Sequence, residues 1–170
     1  MEQNFNTAEL TFGPNLMGES ITQESLYAKF EDAIRHIKDE NWVVAVFEGS
    51  PTGREYSWCS DCVAASEDIR GFMSEYRGMV KVIQFKVGSE KEWKGISDSR
   101  SPFKVKFPHL VDLPTAILFR GKLDVARTIA PRKDDLLYLS KRAEALEAQI
   151  RDGSWNPPHW KPANHNAPMY

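Results

Sequence analysis

The segment Trp42-Val43-Val44-Ala45-Val46-Phe47, followed after one loop by Trp58-Cys59-Ser60-Asp61-Cys62, decides the reading of this chain. The first run is continuous, β-branched and aromatic, the pattern of a central strand covered on both faces. Gly49 to Ser57 is a polar loop with Pro51 and Gly53 inside it, and it delivers the chain to Trp58 and the cysteines. Beyond them Val63, Ile69, Met73 and Tyr76 recur at near-helical spacing. That predicts a helix from about Cys59 to Tyr76, with Gly78 as a stop.

Working outward, Thr22 caps a helix that runs to about residue 38, with Ile21 and Leu26 as a hydrophobic staple. Leu26, Phe30, Ile34 and Ile37 give it one apolar face. On the other side of the cysteines, Val80 to Val87 reads as the next strand, and short helical pieces are expected near Glu92 and Phe103. Leu113-Pro114-Thr115 introduces the buried-type strand Ala116 to Phe119. Gly121-Lys122 turns it into an antiparallel strand at Leu123 to Arg127. Leu136, Leu139, Ala143, Leu146 and Ile150 then share one face of a last helix that Gly153 ends. A further strand is expected at Ala8 to Phe12. The order implies an α/β domain with a mixed sheet of four to five strands flanked by helices. Its expected limits are residues 21–153, after a lead of residues 1–20 and before a Pro-, Asn- and His-containing tail at 154–170.

The 170 residues suffice for one well-buried domain. Twenty-two basic and twenty-four acidic residues leave a formal charge of -2 and are largely interspersed, which speaks against a nucleic-acid surface. The apolar run at Trp42 to Phe47 is about a third of a membrane span. The opening residues carry no basic or apolar targeting pattern, so a cytoplasmic location without membrane attachment is expected.

Both cysteines of the chain sit in one C-x-x-C window. A bond between them closes a tiny ring and contributes little chain-entropy stabilisation, so the pair makes more sense as something that opens and closes. Residues three apart at a helix start share a face, and the unpaired amides there favour a thiolate. On this reading Cys59 attacks a substrate disulfide and the more shielded Cys62 resolves the mixed disulfide. Asp61 suits the positive helix end yet opposes a nearby thiolate, and Trp58 shields the site or meets substrate. Alternatives at this level are an inert pair, a peroxide-reducing dithiol, and half of a zinc site completed from His36, His109, His159 or His165. Zinc is disfavoured because no second compact ligand pair exists.

With this strand–loop–helix setting, the chain resembles the thioredoxin superfamily, and within it the Clot-like, thioredoxin domain-containing protein 17 family. The long loop Gly49 to Ser57, Asp61 between the cysteines with Val63 after them, Val87-Gly88 with Trp93-Lys94, and Leu113-Pro114-Thr115 carry the resemblance over about residues 22 to 150. The resemblance implies a thioredoxin fold and a dithiol reductase of small-molecule or selected protein disulfides. It implies no bound cofactor: NADPH is used indirectly, through a partner thioredoxin reductase. It also gives Leu113 and Pro114 a role, a cis proline that turns the preceding backbone toward substrate. The family pattern has proline where this chain has Ser60, which supplies an amide and loosens the turn. General thioredoxins bury an acid beneath the site. Here the central strand offers no acid before Glu48, itself expected as a solvated strand-end residue, so proton transfer to Cys62 falls to water or Glu48. The alternative function is a thioredoxin-fold binding or redox-sensing adaptor without turnover.

Overall fold

The computed structural model describes residues 22–51, 56–95 and 101–156. Within them the order is α1 (Gln23–Arg35), β1 (Trp42–Glu48), α2 (Ser60–Glu75), β2 (Lys81–Lys86), α3 (Glu90–Lys94), α4 (Pro102–Lys106), β3 (Thr115–Arg120), β4 (Leu123–Ile129) and α5 (Lys133–Asp152). The expected strand at Ala8 to Phe12, the staple residue Ile21 and the tail residues His159 and His165 lie outside the described residues.

A four-stranded sheet has the order β2-β1-β3-β4. β1 is parallel to β2 and antiparallel to β3, and β4 returns antiparallel beside β3. Every residue of β1 is buried, as its unbroken apolar run requires. Alternation along the strand divides it between two cores. Val43, Ala45 and Phe47 pack with Leu26, Phe30, Phe85, Trp93 and Phe103 on the side of α1, α3 and α4. Val44 and Val46 pack with Ile69, Phe72, Leu136, Leu139 and Leu146 on the side of α2 and α5. Phe30 anchors the first core, with ring contacts at 4.8 Å to Phe85 and 5.5 Å to Phe47.

The helix limits show local chemistry overruling periodicity. Thr22 caps α1 by accepting the Ser25 amide, but the helix stops at Arg35, short of residue 38. There the Asp32 carbonyl lies 3.3 Å from the His36 amide and 2.7 Å from its ring Nδ1. α2 ends at Glu75 with Tyr76 as its C-cap, as the expected limit near Tyr76 has it; Tyr76 turns extended and stacks its ring on Phe72 at 4.9 Å. Across α2 and α5, Arg132 donates to Asp68 at 2.6 Å. That hydrogen bond, with the nearby positive charge, holds the Asp68 carboxyl below its ordinary value. The attraction is therefore present above the ordinary carboxylate range and is lost as pH falls through the lowered pKa.

Trp155 packs, partly buried, against the second core, although its sequence position places it with the tail. Its ring stacks on Trp42 at 6.5 Å, and Trp42 donates from Nε1 to Glu147 of α5 at 2.8 Å. Trp155→Ala is expected to cost about 1 kcal/mol through lost aromatic contact, which lowers the melting temperature by roughly 2–4 °C in a chain of this size. A scanning calorimeter, run on the variant and the parent, checks the shift.

Candidate active site

The site is built where β1 runs out and α2 begins. Cys59 has extended backbone angles, φ -84° and ψ 108°, and is the N-cap of α2 rather than a residue inside it. Its sulfur does the work of a capping oxygen: the Cys62 amide donates to Cys59 Sγ at 3.2 Å. Cys62 follows on the same face, with the Cα atoms 5.2 Å apart and the sulfurs at disulfide distance. Cys59 is 8% exposed and Cys62 3%.

The Leu113–Pro114 peptide is cis, and the Leu113 carbonyl oxygen lies 3.4 Å from Cys59 Sγ. Two bonds hold this corner: Thr115 Oγ1 donates to the Asp112 carbonyl at 2.7 Å, and the Ala130 amide to the Pro114 carbonyl at 2.8 Å. Ser60 and Asp61 are exposed in the first turn of α2. Together with Trp58, Cys59 and Leu113 they line an open groove of about 470 Å³. Its other wall comes from α3 and α4, with Glu90, Trp93, Lys94 and Lys104. Lys104 Nζ sits 4.3 Å over the Trp93 ring and donates to its carbonyl at 2.6 Å. The structure thus brings Trp58, Cys59, Ser60, Asp61, Cys62, Leu113 and Pro114 to one place.

Trp58 is fixed from the far side. Its Nε1 donates to the Gly88 carbonyl at 2.9 Å, and Gly88 in turn receives Ser50 Oγ as an acceptor for its amide, also at 2.9 Å. Gly88 has φ +106°, and a Cβ there would fall 2.7 Å from a carboxylate oxygen of Glu92. That carboxylate caps two helices, accepting the Ser89 amide at 2.8 Å and the Gln23 amide at 3.2 Å. Sequence reading found Gly88 only as part of a resemblance. The capping pattern Ser89-Glu90-Lys91-Glu92 was a usable signal for this wall of the groove.

Glu48 departs from expectation. It is 3% exposed rather than solvated, and it is paired with Lys86. The parallel register sets Glu48 directly opposite Lys86, and the Gln84 amide lies 3.4 Å from both carboxylate oxygens. The pairing is non-local, so nothing around Glu48 in the sequence announces it.

Among the described residues, no group of three or more His, Cys, Asp and Glu side chains is arranged to hold a metal ion. No described helix is long and apolar enough to cross a membrane.

A mixed sheet with a two-cysteine helix start facing a cis proline defines a thioredoxin-fold protein with a redox-capable dithiol. The thioredoxin domain of the thioredoxin domain-containing protein 17-like family matches residues 23–136. The chain belongs to that family. It is 33% identical over 93 residues to thioredoxin domain-containing protein 17 of Epinephelus coioides, covering 55% of this chain and 72% of that protein. Among solved structures, Fasciola hepatica thioredoxin is 18% identical, with a TM-score of 0.49 over 69% of this chain and 93% of its own. Oxidised thioredoxin O2 from Arabidopsis thaliana is 16% identical, with a TM-score of 0.42 over 72% and 89%. Family and cysteine geometry together make this a thiol–disulfide oxidoreductase in the general sense.

Proposed function

We propose that the protein reduces small-molecule or selected protein disulfides, with Cys59 as nucleophile and Cys62 as resolving thiol. One observation carries the reading: Cys59 lines an open groove, and its Sγ takes an amide hydrogen bond at the start of a long helix. An amide donor and the positive helix end both favour the thiolate. The Cys59 thiolate attacks one sulfur of the substrate, forming a mixed disulfide and releasing the first substrate thiolate. Cys62, deprotonated, then attacks Cys59 Sγ; the Cys59–Cys62 bond forms and the second substrate thiolate leaves. Two electrons have passed to the substrate, and each released thiolate takes a proton from water.

Regeneration requires two electrons from outside, and a flavoprotein thioredoxin reductase drawing on NADPH is the partner class that suits a dithiol whose first cysteine lines an open groove. A cytoplasmic setting, where thiols are kept reduced, fits this use. The test is an NADPH-coupled assay with thioredoxin reductase, with cystine and insulin as separate substrates. NADPH consumption dependent on both protein and substrate supports the proposal. Absence of consumption with either disulfide, from a chain that retains titratable thiols, overturns it in favour of a non-turnover adaptor.

Ser60 is the first helical position, where a missing amide is tolerated. Ser60→Pro should therefore leave the thermal transition within about 1 °C to 2 °C. It should change the reduction potential or the Cys59 pKa, because it stiffens the turn between the sulfurs. Glutathione titration and pH-dependent alkylation of both proteins measure the two quantities; no change in either makes Ser60 a neutral replacement.

A further inference from the structure

The Gly49 amide donates to Cys62 Sγ at 3.5 Å. β1 ends at Glu48, the last residue of that strand in the register with β2, so this N–H is directed at the sulfur rather than into the sheet. The carbonyl of the same residue accepts from Ser57 Oγ at 2.7 Å, and Ser57 Oγ accepts the Cys59 amide at 3.1 Å. Gly49 is therefore tied to both cysteines, to one directly and to the other through a hydroxyl.

It also has to be glycine. A Cβ at this position would lie 2.7 Å from Trp58 Cε2, 2.9 Å from Trp58 Nε1 and 2.8 Å from Ser57 Oγ. The Trp58 indole occupies the space a side chain would need, and its bond to Gly88 keeps it there. With Cys62 buried and the indole in place, water has little access to compete for the sulfur.

We propose that Gly49 is a positioning residue that sets the ionisation of Cys62, its amide serving as the donor that stabilises the resolving thiolate. The proposal rests on the reading of Cys62 as the resolving thiol. A disulfide sulfur is a weak acceptor and a thiolate a strong one, so the donor contributes more once the bond has opened. Gly49 thereby favours the dithiol and makes the attack of Cys62 on the mixed disulfide available nearer neutral pH. The charged groups of the surrounding elements are Asp61 on α2, Glu48 paired with Lys86 on β1 and β2, Glu90 and Lys94 on α3, Lys104 on α4 and Asp112 before β3. All stay in place in the variants that test the idea.

Those variants use Trp58→Ala as background, which removes the indole; Ser57 Oγ, 2.8 Å from the added carbon, has to turn aside in both variants alike. Gly49→Ala and Gly49→Pro both add that carbon, and only proline lacks the N–H. The extended Glu48 backbone accommodates a following proline. With Cys59→Ser added to isolate Cys62, pH-dependent alkylation should place the Cys62 pKa about one unit higher in the proline variant than in the alanine variant. At a pH above both pKa values, the glutathione equilibrium of the two-cysteine forms should move about tenfold toward the disulfide, equivalent to about 30 mV. Equal pKa values and equal equilibria overturn the proposal. A second measurement does not depend on the proline variant folding. In Cys59→Ser with native Gly49 and Trp58, the Gly49 amide proton should move downfield in NMR spectra as Cys62 ionises. An amide that ignores that step overturns the proposal as well. These readouts use no substrate, so an inactive protein with an intact Gly49 response would refute the proposed function and leave this inference standing.

Discussion

Cys59→Ser is expected to lower disulfide reduction more than about a hundredfold, since a serine hydroxyl is not ionised at neutral pH and cannot undergo thiol–disulfide exchange. Cys62→Ser should also stop turnover, but at a later point: Cys59 still attacks and the mixed disulfide accumulates. Mass spectrometry of each variant after exposure to a disulfide distinguishes the two. A stable adduct on Cys59→Ser with none on Cys62→Ser would reverse the assignment. The expected asymmetry comes from geometry, because Cys59 lines the groove whereas the more deeply buried Cys62 does not. Alkylation of the reduced protein at limiting reagent should accordingly mark Cys59 first.

The second large effect is on stability. Glu48→Ala should destabilise the fold by about 3–5 kcal/mol, because it leaves Lys86 with a largely buried charge and removes its partner. Glu48→Gln retains an acceptor of the same shape and should cost less. Urea unfolding of the three proteins, read at constant slope, gives the differences directly. If Glu48→Ala unfolds at the same midpoint as the parent, the pair is not an energetic feature of the native state. The Glu48→Leu variant adds a useful comparison: if packing substitutes for the lost carboxylate, its cost falls below that of alanine.

The features legible in the sequence were those that depend on neighbours along the chain. The buried run Trp42 to Phe47 marked the central strand, and Leu136 to Ile150 marked the last helix. Gly121-Lys122 marked the hairpin, and the helix start at the cysteines followed from the strand before it. Leu113-Pro114-Thr115 gained its meaning from resemblance; a proline before a strand is otherwise an ordinary turn residue. What escaped were relations made by the fold. Register alone sets Glu48 against Lys86, and only the folded loop brings Gly49 under Trp58. Trp155 was assigned to the Pro-, Asn- and His-containing tail because composition averages over neighbours, whereas its indole stacks on Trp42. The end of α1 moved for a related reason, since one shared carbonyl decides a boundary that periodicity leaves open.

Cys59, Cys62 and Leu113 lie in the same hydrophobic cluster as Phe30, Phe47, Phe85 and Phe103. Interiors of this kind are close-packed and compress little. A dithiol mounted on such a base keeps its place while the bond between its sulfurs is made and broken. Adaptation therefore falls to the other participant in the exchange. On the proposed function, a disulfide that can be presented end-on, from a small flexible molecule or from an extended stretch of a protein, would reach Cys59 through the groove. One locked inside a rigid domain has to loosen first, and the unfolding free energy of that domain then becomes part of the barrier to its reduction.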